Sequence, residues 1–182
     1  KGSIDLDKFE SLDIANVSSG QSLMEAAGEA MSAVSLLMNN PFGKVKVTGL
    51  NFEINIGPEN LLANVRSVAI SDRRVKAGDT IKVTAVVESH MSKKSTYEFS
   101  VKLPEKLAAG KYEMMVGGGY EYDKFLRKSE PHKFIAKDVS SLVSAIRYIL
   151  SLKRDRLYPV VTLGVGGVVV DESELVDVPF SK

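Results

Sequence analysis

Few residues of this chain have the types and spacing that chemistry requires. The sequence contains no cysteine and only two histidines, His90 and His132. Each histidine lies in a polar stretch predicted to be a loop, and neither has a partner at the spacing of a metal site or a general base. We therefore interpret both as solvated loop residues and predict no catalytic, cofactor-binding or metal-binding residue in the chain.

A cluster of glycines could in principle hold a phosphate. Gly164, Gly166 and Gly167 follow a predicted strand, as the glycines of a phosphate-binding turn do. The full G-x-G-x-x-G spacing is missing, and no predicted helix follows that would present its backbone amides to the phosphate. A hairpin turn between Leu157–Val165 and a short strand from Val168 explains the glycines better.

Tyr120 and Tyr122 are the candidate binding residues. They follow Gly117-Gly118-Gly119, within a stretch from Gly117 to Lys137 that we interpret as a mobile loop with a short helical piece near Asp123–Lys128. Tyrosines beside flexible glycines can serve recognition. A domain hinge with half-buried tyrosines would give the same pattern, so both interpretations stay open.

Length and charge limit the class of protein. The 182 residues suit one large domain or two small ones, and the formal net charge is +1. This balance gives no electrostatic footprint for nucleic acid or an anionic membrane. The longest apolar run, Pro159–Val170, is too short to span a bilayer. The chain begins with Lys1 rather than Met, and we expect it to be a piece of a longer protein.

Two amphipathic helices must hold any site in place. The first, Ser18–Asn40, begins with a capping box at Ser18 and Gln21 or at Ser22 and Glu25, and ends at Asn39-Asn40-Pro41. Its polar face lacks Lys and Arg, which favours core packing over a membrane-surface helix or a coiled coil. The second helix begins after Asp138 as its cap. Asn16-Val17-Ser18 just before the first helix fits a glycosylation sequon, which matters only in a eukaryotic secretory setting.

Alternating apolar residues predict antiparallel strands. The clearest stretch is Val75–Val116, in which three segments alternate around polar turns. Further strands are predicted at Lys44–Ile56, with a bulge at Gly49, and at Leu62–Ser71. A short edge strand is expected within Lys1–Val17.

These elements predict a mainly β protein with α-helices (α+β). Strands at this spacing, separated by Gly and Pro, favour an immunoglobulin-like antiparallel β-sandwich. An N-terminal and a C-terminal helix would pack around it. We expect residues 1–43 to hold the N-terminal strand and the alanine-rich helix, and residues 44–119 to form the sandwich. Residues 120–182 would add a loop, a helix and C-terminal strands, all packed as one unit.

Two stretches, Leu36–Phe42 with the following Val45–Phe52 and Arg73–Thr84, carry a likeness to a known family. They resemble the C-terminal region of bacterial exported proteins that have a SpoIVB-type (sporulation stage IV B) serine peptidase-like domain. The order of helix, strands and a helix before Arg154–Tyr158 is similar as well. The resemblance covers about Ile14 to Pro179.

The resemblance implies a non-catalytic tail. In that family the peptidase-like domain lies upstream and carries a histidine beside a glycine and a serine within a Ser-Gly-Ser-Pro run. His90 follows Ser89 and His132 follows Pro131, and no Ser-Gly-Ser-Pro occurs in this chain. The likeness therefore transfers no catalytic residue, and it implies a bacterial, extracytoplasmic location in the periplasm, in the cell envelope or outside the cell.

We expect a non-catalytic β-sandwich module that binds a protein or peptide, or that positions an upstream domain of the same parent protein. We expect no cofactor, no nucleic-acid partner and no membrane insertion. The alternative is an accessory C-terminal region of a SpoIVB-like serine peptidase, which shapes access of the substrate. A carbohydrate-binding sandwich is a third hypothesis, but the absence of tryptophan removes the commonest platform for stacking a sugar.

Overall fold

The computed structural model describes residues 1–18, 23–58, 60, 62–89, 91, 93–163, 168–170 and 173–175. Over these residues the protein has a mixed α and β structure with antiparallel sheets. Its contacts form two compact units, each made from two separate stretches of chain. The first unit comprises Lys1–Asn60 and Gly119–Arg156, and the second comprises Leu61–Gly118 and Leu157–Lys182. These units cut across the three consecutive segments expected from the sequence.

The first unit contains a three-stranded sheet of order β2-β1-β3. Its strands are β1 (Gly2–Leu6), β2 (Leu12–Ile14) and β3 (Val47–Phe52). The short edge strand expected within Lys1–Val17 is present as β2, while β1 lies in the centre of the sheet and its Ile4 is fully buried. β3, which belongs to the segment 44–119 in the division expected from the sequence, pairs with β1.

The bulge predicted near Gly49 is confirmed. Asp5 pairs with Gly49 and Leu6 pairs with Val47, so Thr48 is an extra residue in β3. Beyond the bulge the pairing is regular, with Ile4 opposite Leu50 and Gly2 opposite Phe52. The bulge therefore separates a bent start of β3 from a regular end.

Three helices complete the first unit: α1 (Leu23–Met38), α2 (Gly119–Ser129) and α3 (Val139–Ser151). The predicted end of the first helix is confirmed, since the side-chain oxygen of Asn40 accepts hydrogen bonds from the amides of Phe42 and Gly43 just past α1. Its predicted capping boxes fall on residues outside the described ranges. The predicted cap of the second helix is confirmed, because Asp138 and Ser141 form a capping box. No helix among the described residues is long and apolar enough to cross a membrane.

The core of the first unit lies between the sheet and the helices α1 and α3. It is a single hydrophobic cluster to which β1, β2, α1 and α3 all contribute. Its buried members are Ile4, Leu6, Leu12, Ile14, Ala30, Ala33, Leu37, Val45, Leu142, Val143, Ile146 and Leu150. The face of α1 that carries Ala30, Ala33 and Leu37 thus packs into the core.

A polar network at Asn16 joins the two stretches of chain in the first unit. The Asn16 side-chain amide donates to the Leu152 carbonyl at 2.9 Å and to Glu29 at 3.1 Å. The Asn16 side-chain oxygen accepts from the backbone N–H of Arg154 at 2.8 Å. The guanidinium of Arg154 also pairs with Glu29 at 2.7 Å. This Asn16 network fixes α1 against the end of α3.

The second unit contains the strands predicted around Val75–Val116. Its larger sheet has the order β4-β5-β6, made of β4 (Ala63–Ile70), β5 (Thr80–Ser89) and β6 (Lys94–Lys102). β7 (Tyr112–Gly117) pairs with β8 (Tyr158–Leu163) in a smaller sheet. Residues of both sheets form one core cluster, whose buried members are Ile81, Val83, Ala85, Leu103 and Val116.

Two short strands follow. β9 (Val168–Val170) pairs with β10 (Ser173–Leu175). The expectation that the Val168 strand folds back on the strand before it is wrong, since β8 pairs with β7 instead. The glycines Gly164–Gly167 lie outside the described residues.

The Asn16 network predicts a measurable loss of stability. Replacing Asn16 by alanine would leave the Leu152 carbonyl and the Glu29 carboxylate without this partner. We expect Asn16→Ala to lower the free energy of unfolding by about 1–3 kcal/mol in equilibrium urea denaturation. The control is Asn55→Ala, since Asn55 makes only an exposed 3.3 Å contact with Glu53 and its loss should cost less than about 0.5 kcal/mol. Equal effects of the two substitutions would contradict the role given to Asn16.

Candidate functional site

The loop predicted at Gly117–Lys137 is wrong for most of its length, whereas the short helical piece predicted near Asp123–Lys128 is confirmed as part of α2. Tyr120 and Tyr122 lie in the first turn of α2, and a 3₁₀ helix follows at Pro131–Phe134. At Gly119, the first residue of α2, the chain passes very close to the residues that follow α3: a Cβ on Gly119 would lie 2.6 Å from the Lys153 carbonyl oxygen. At Gly119, then, glycine serves close packing.

An aromatic and charged cluster connects α2 with α3. The rings of Phe134 and Tyr148 are 5.8 Å apart, and Arg127 lies over the Phe134 ring. Lys133 lies over the Tyr148 ring and pairs with Glu130 at 2.9 Å. Burial raises the pKa of Tyr148, and the nearby Tyr122 and Glu130 raise it further against the opposing effect of Lys133. The contacts of the cluster join α2, the 3₁₀ helix and α3.

The two candidate tyrosines therefore have different surroundings. Tyr122 is half-buried beside this cluster, whereas the side chain of Tyr120 is 77% exposed. Neither tyrosine lines either of the two cavities described below. A binding role for Tyr120 and Tyr122 stays a prediction.

The histidines do not form a site among the described residues. His132 lies exposed in the 3₁₀ helix, and His90 lies outside the described ranges. Within those ranges, no group of three or more His, Asp or Glu side chains could hold a metal ion. The candidates that remain are surfaces whose shape and polarity suit binding.

An apolar groove runs between α1 and β3 in the first unit. It has a volume of about 280 Å³ and is lined by Ala27, Ala30, Met31, Val34, Ser35, Leu50 and Phe52. Met31 is 57% exposed, Leu50 48% and Phe52 41%. Leu50 and Phe52 lie opposite Ile4 and Gly2 of β1, so they point to the core side of the sheet but stand at its rim. We call this feature the α1–β3 groove.

The rim of the groove is also an open strand edge. No other strand among the described residues pairs with β3 on the side away from β1. The Glu53 amide donates to the Lys1 carbonyl, so residues 53 and 51 direct their backbone groups at β1. Because these directions alternate along an antiparallel strand, the N–H and C=O of Leu50 and Phe52 point outward. The open edge and the groove therefore share the same two residues.

The two edges of the larger sheet in the second unit are protected in ways that this one is not. The edge strand β4 has a register shift at Arg66, whose side chain makes two 3.0 Å hydrogen bonds to Glu88. These bonds lower the pKa of Glu88 below its ordinary range. The other edge of that sheet, β6, carries charged residues at Lys94, Glu98 and Lys102. Bulges and charges of this kind discourage added strands.

In β3, by contrast, the part beyond the bulge is Gly49-Leu50-Asn51-Phe52, which contains neither a charge nor a proline. Nothing in these four residues therefore obstructs an additional strand. The open edge after Thr48 is the feature of the first unit with the clearest capacity to bind.

A second, open depression lies at the C-terminal end of α1, where Met38 lines it. It has a volume of about 780 Å³ and lies along the turn between α1 and β3. Its lining residues are Asp7, Lys8, Met38, Asn40, Pro41, Gly43, Lys44, Val45, Lys46 and Val47. Three of these are lysines and one is an aspartate. We call this feature the lysine depression.

The α1–β3 groove was not predicted from the sequence. Small residues such as Ala27 and Ala30 permit close packing of a helix on a sheet, yet α1 and β3 leave a space between them. A signal was present in the alternation of Leu50, Phe52, Ile54 and Ile56, which runs past the last paired residues of β3. Ile54 and Ile56 are both exposed. Apolar side chains that continue beyond the strand pairing indicate an apolar surface left open.

Comparisons with models of protein families, with curated proteins and with solved structures found no match. The resemblance to SpoIVB-type exported proteins is therefore untested and stays a prediction. The α1–β3 groove, the open edge of β3 and the lysine depression are the features from which a function can be inferred.

The close approach at Gly119 gives a prediction with a matched control. We expect Gly119→Ala to lower the free energy of unfolding by about 1–3 kcal/mol, because the new Cβ would overlap the backbone at Lys153. Gly28 lies in α1, and no neighbouring atom comes within 4 Å of the point that a Cβ would occupy there, so Gly28→Ala should raise stability by about 0.5–1 kcal/mol. Thermal unfolding of both variants tests this pair, and a harmless Gly119→Ala would contradict the close packing.

Proposed function

We propose that the chain is a non-catalytic binding module that takes up an extended, apolar peptide segment of a partner protein as a fourth strand on β3. The observation that supports this proposal is the coincidence of an open strand edge with an apolar groove. An open edge alone binds any extended chain, and a groove alone accepts many shapes. Together they are the two parts of recognition by strand addition, in which backbone bonds give affinity and pockets give specificity.

The peptide would use both parts at once. Its backbone would bond to the outward N–H and C=O groups of Leu50 and Phe52. Because residues directly opposite each other in a ladder share a face of the sheet, the peptide side chains opposite these two would point into the α1–β3 groove. There they would contact Ala27, Met31 and Ser35 of α1, which line the groove. The intervening peptide side chains would face the other side of the sheet and carry less selectivity.

The occupant is expected to run antiparallel to β3. Every pairing in the sheet β2-β1-β3 is antiparallel, and antiparallel pairs are slightly more stable per residue than parallel ones. A second copy of the chain is the other possible source of a strand. Sedimentation of the isolated chain distinguishes the two, since a monomer is expected and a dimer closed through β3 would overturn the peptide as occupant.

The sandwich fold, the location and the parent protein expected from the sequence are compatible with this proposal. A sandwich arrangement of the second unit is supported by the core cluster that its two sheets share; an immunoglobulin-like strand order for that sandwich is part of the proposal. An extracytoplasmic location, and a parent protein with a SpoIVB-like peptidase domain whose substrate access this piece shapes, are proposed on the resemblance alone. In that case the groove would bind a segment of the parent or of its substrate.

The direction of the backbone groups predicts an alternating pattern of hydrogen exchange. In the free protein, the amides of Leu50 and Phe52 should exchange with solvent much faster than those of Asn51 and Glu53, which bond to β1. Amide exchange followed residue by residue by NMR measures this. Slow exchange at Leu50 and Phe52 in the monomer would show that the edge is already occupied, and the proposal would fail.

A neutral probe peptide tests the binding itself. We choose acetyl-Thr-Val-Thr-Val-Thr-amide, which has alternating apolar side chains and no charge. Filling the groove with Ala27→Trp should weaken its binding roughly tenfold or more, because the loss of one buried apolar side chain costs about 1.5–3 kcal/mol. The measurement is an NMR titration that follows the amides of β3.

Two further variants keep this test interpretable. Ser32→Trp adds the same bulk to an exposed position of α1 that does not line the groove, so its affinity should equal that of the unmodified chain. Met31→Glu places a charge at an exposed wall of the groove with little risk to folding, and it should weaken binding as Ala27→Trp does. Equal binding by all three variants would exclude the groove as the site.

A further inference from the structure

The lysine depression has an uncompensated positive charge. Lys8, Lys44 and Lys46 line it together with one acid, Asp7, and all four residues are exposed. None of the ion pairs found in the described part of the chain involves these three lysines. The whole chain has a formal net charge of only +1, so this concentration of cations is a local feature. It suits an anionic group.

On both walls, the residues that line the depression are close in sequence to those that line the α1–β3 groove. On the helix, the groove is lined as far as Ser35 and the depression begins at Met38, one turn later. On the strand, the groove is lined by Leu50 and Phe52, and the depression by Lys44 to Val47. At about 3.3 Å per residue, a strand paired beside Leu50 reaches the lysines after about three to four further residues. One extended peptide can therefore occupy both features.

The carboxylate that fits is a side chain rather than a peptide C-terminus. A terminal carboxylate is commonly held by a concave set of backbone N–H groups. At this turn the amides of Phe42 and Gly43 already donate to the Asn40 side-chain oxygen, at 2.9 Å and 3.1 Å. The groups that remain to bind an anion are the three lysine side chains, which line a wide and open space. That space admits more than one acidic side chain.

We infer that the segment bound by this protein carries acidic residues, aspartate or glutamate, on the C-terminal side of its apolar residues. The order follows from direction: a peptide antiparallel to β3 begins near Phe52 and runs toward Val47, so its C-terminal part meets the lysine depression. This inference rests on the proposed function, because it needs the peptide to lie on β3. It adds the chemical class of the partner segment and the order of its apolar and acidic residues along the chain.

Four octapeptides that differ only in the number and position of their carboxylates test this inference. The first is acetyl-Thr-Val-Thr-Val-Thr-Glu-Glu-Glu-amide, the second has glutamine for each glutamate, and the third has the three glutamates first. A fourth has the glutamine sequence with a free C-terminal carboxylate. We expect the first to bind about fivefold to tenfold more tightly than the other three at low salt, as a few exposed ion pairs allow, and to lose this advantage as salt is added.

Lysine variants locate the effect. Replacing Lys8, Lys44 and Lys46 together by glutamine should remove the preference for the first peptide and leave the affinity for the glutamine peptide unchanged. The control replaces Lys82, Lys106 and Lys111 by glutamine, which makes the same change in net charge at exposed positions of the second unit. This control should keep the preference. Circular dichroism confirms that both triple variants fold.

The outcomes separate the inference from the proposed function. Equal affinity for the glutamate and glutamine peptides would overturn the acidic preference while the strand addition stands. Equal affinity for the first and third peptides would overturn the stated direction. A preference for the free C-terminus in the fourth peptide would replace acidic side chains by a terminal carboxylate. If no peptide shifts the amides of β3, the proposed function fails and the inference fails with it.

Discussion

The side-chain amide of Asn16 holds together the first unit, which is made from two separate stretches of chain. Asn16 follows β2, and its side chain bonds to α1 and to the residues just after α3, with two of the bonds reaching across 136 and 138 positions of sequence. Lys153 adds a further bond from its ammonium group to the Ala15 carbonyl. Partly buried polar groups of this kind are costly when unpaired, which makes the network selective for one arrangement of α1.

The position of α1 decides whether a groove exists. Glu29 binds Asn16 and Arg154, while Ala30, Ala33 and Leu37 are buried in the core. The groove lies along the adjoining strip of the helix, from Ala27 through Met31 to Ser35, and Ala30 borders both the groove and the core. Because α1 is fixed through these contacts, it does not close onto β3, and small side chains at Ala27 and Ala30 keep the space open. The strand edge then stays accessible beside an apolar wall.

Local patterns predicted much of the fold and little of the site. The two end helices, the strands β4 to β8 and the bulge at Thr48 follow from hydrophobic periodicity, capping residues and glycine, which act over a few residues. The pairing of β1 with β3, and of β7 with β8, depends on which distant strand supplies an edge, and periodicity carries no such information. The first turn of α2 resembles a loop in the sequence because its glycines indicate flexibility in isolation. Only the backbone of Lys153 shows why Gly119 must be small.

The structural role of Asn16 also could not be predicted from the sequence. In the sequence it is part of a glycosylation sequon, whereas in the structure its amide nitrogen already donates to Glu29 and to the Leu152 carbonyl. A glycan on that nitrogen would leave one hydrogen for two acceptors, so modification and the network are incompatible. The α1–β3 groove could not be predicted from the sequence either, since it is a space left between two elements that each follow an ordinary pattern. Spacing along the chain specifies elements, but an unfilled volume is a property of their packing.

The central claim is that β3 accepts an additional strand at its open edge. Intermolecular nuclear Overhauser effects between an isotope-labelled chain and an unlabelled alternating Thr-Val peptide test it most directly. We predict contacts from peptide backbone protons to the amides of Leu50 and Phe52, together with contacts from the valine methyl groups to Met31. Contacts confined to another surface, such as the exposed Tyr120, would contradict the account.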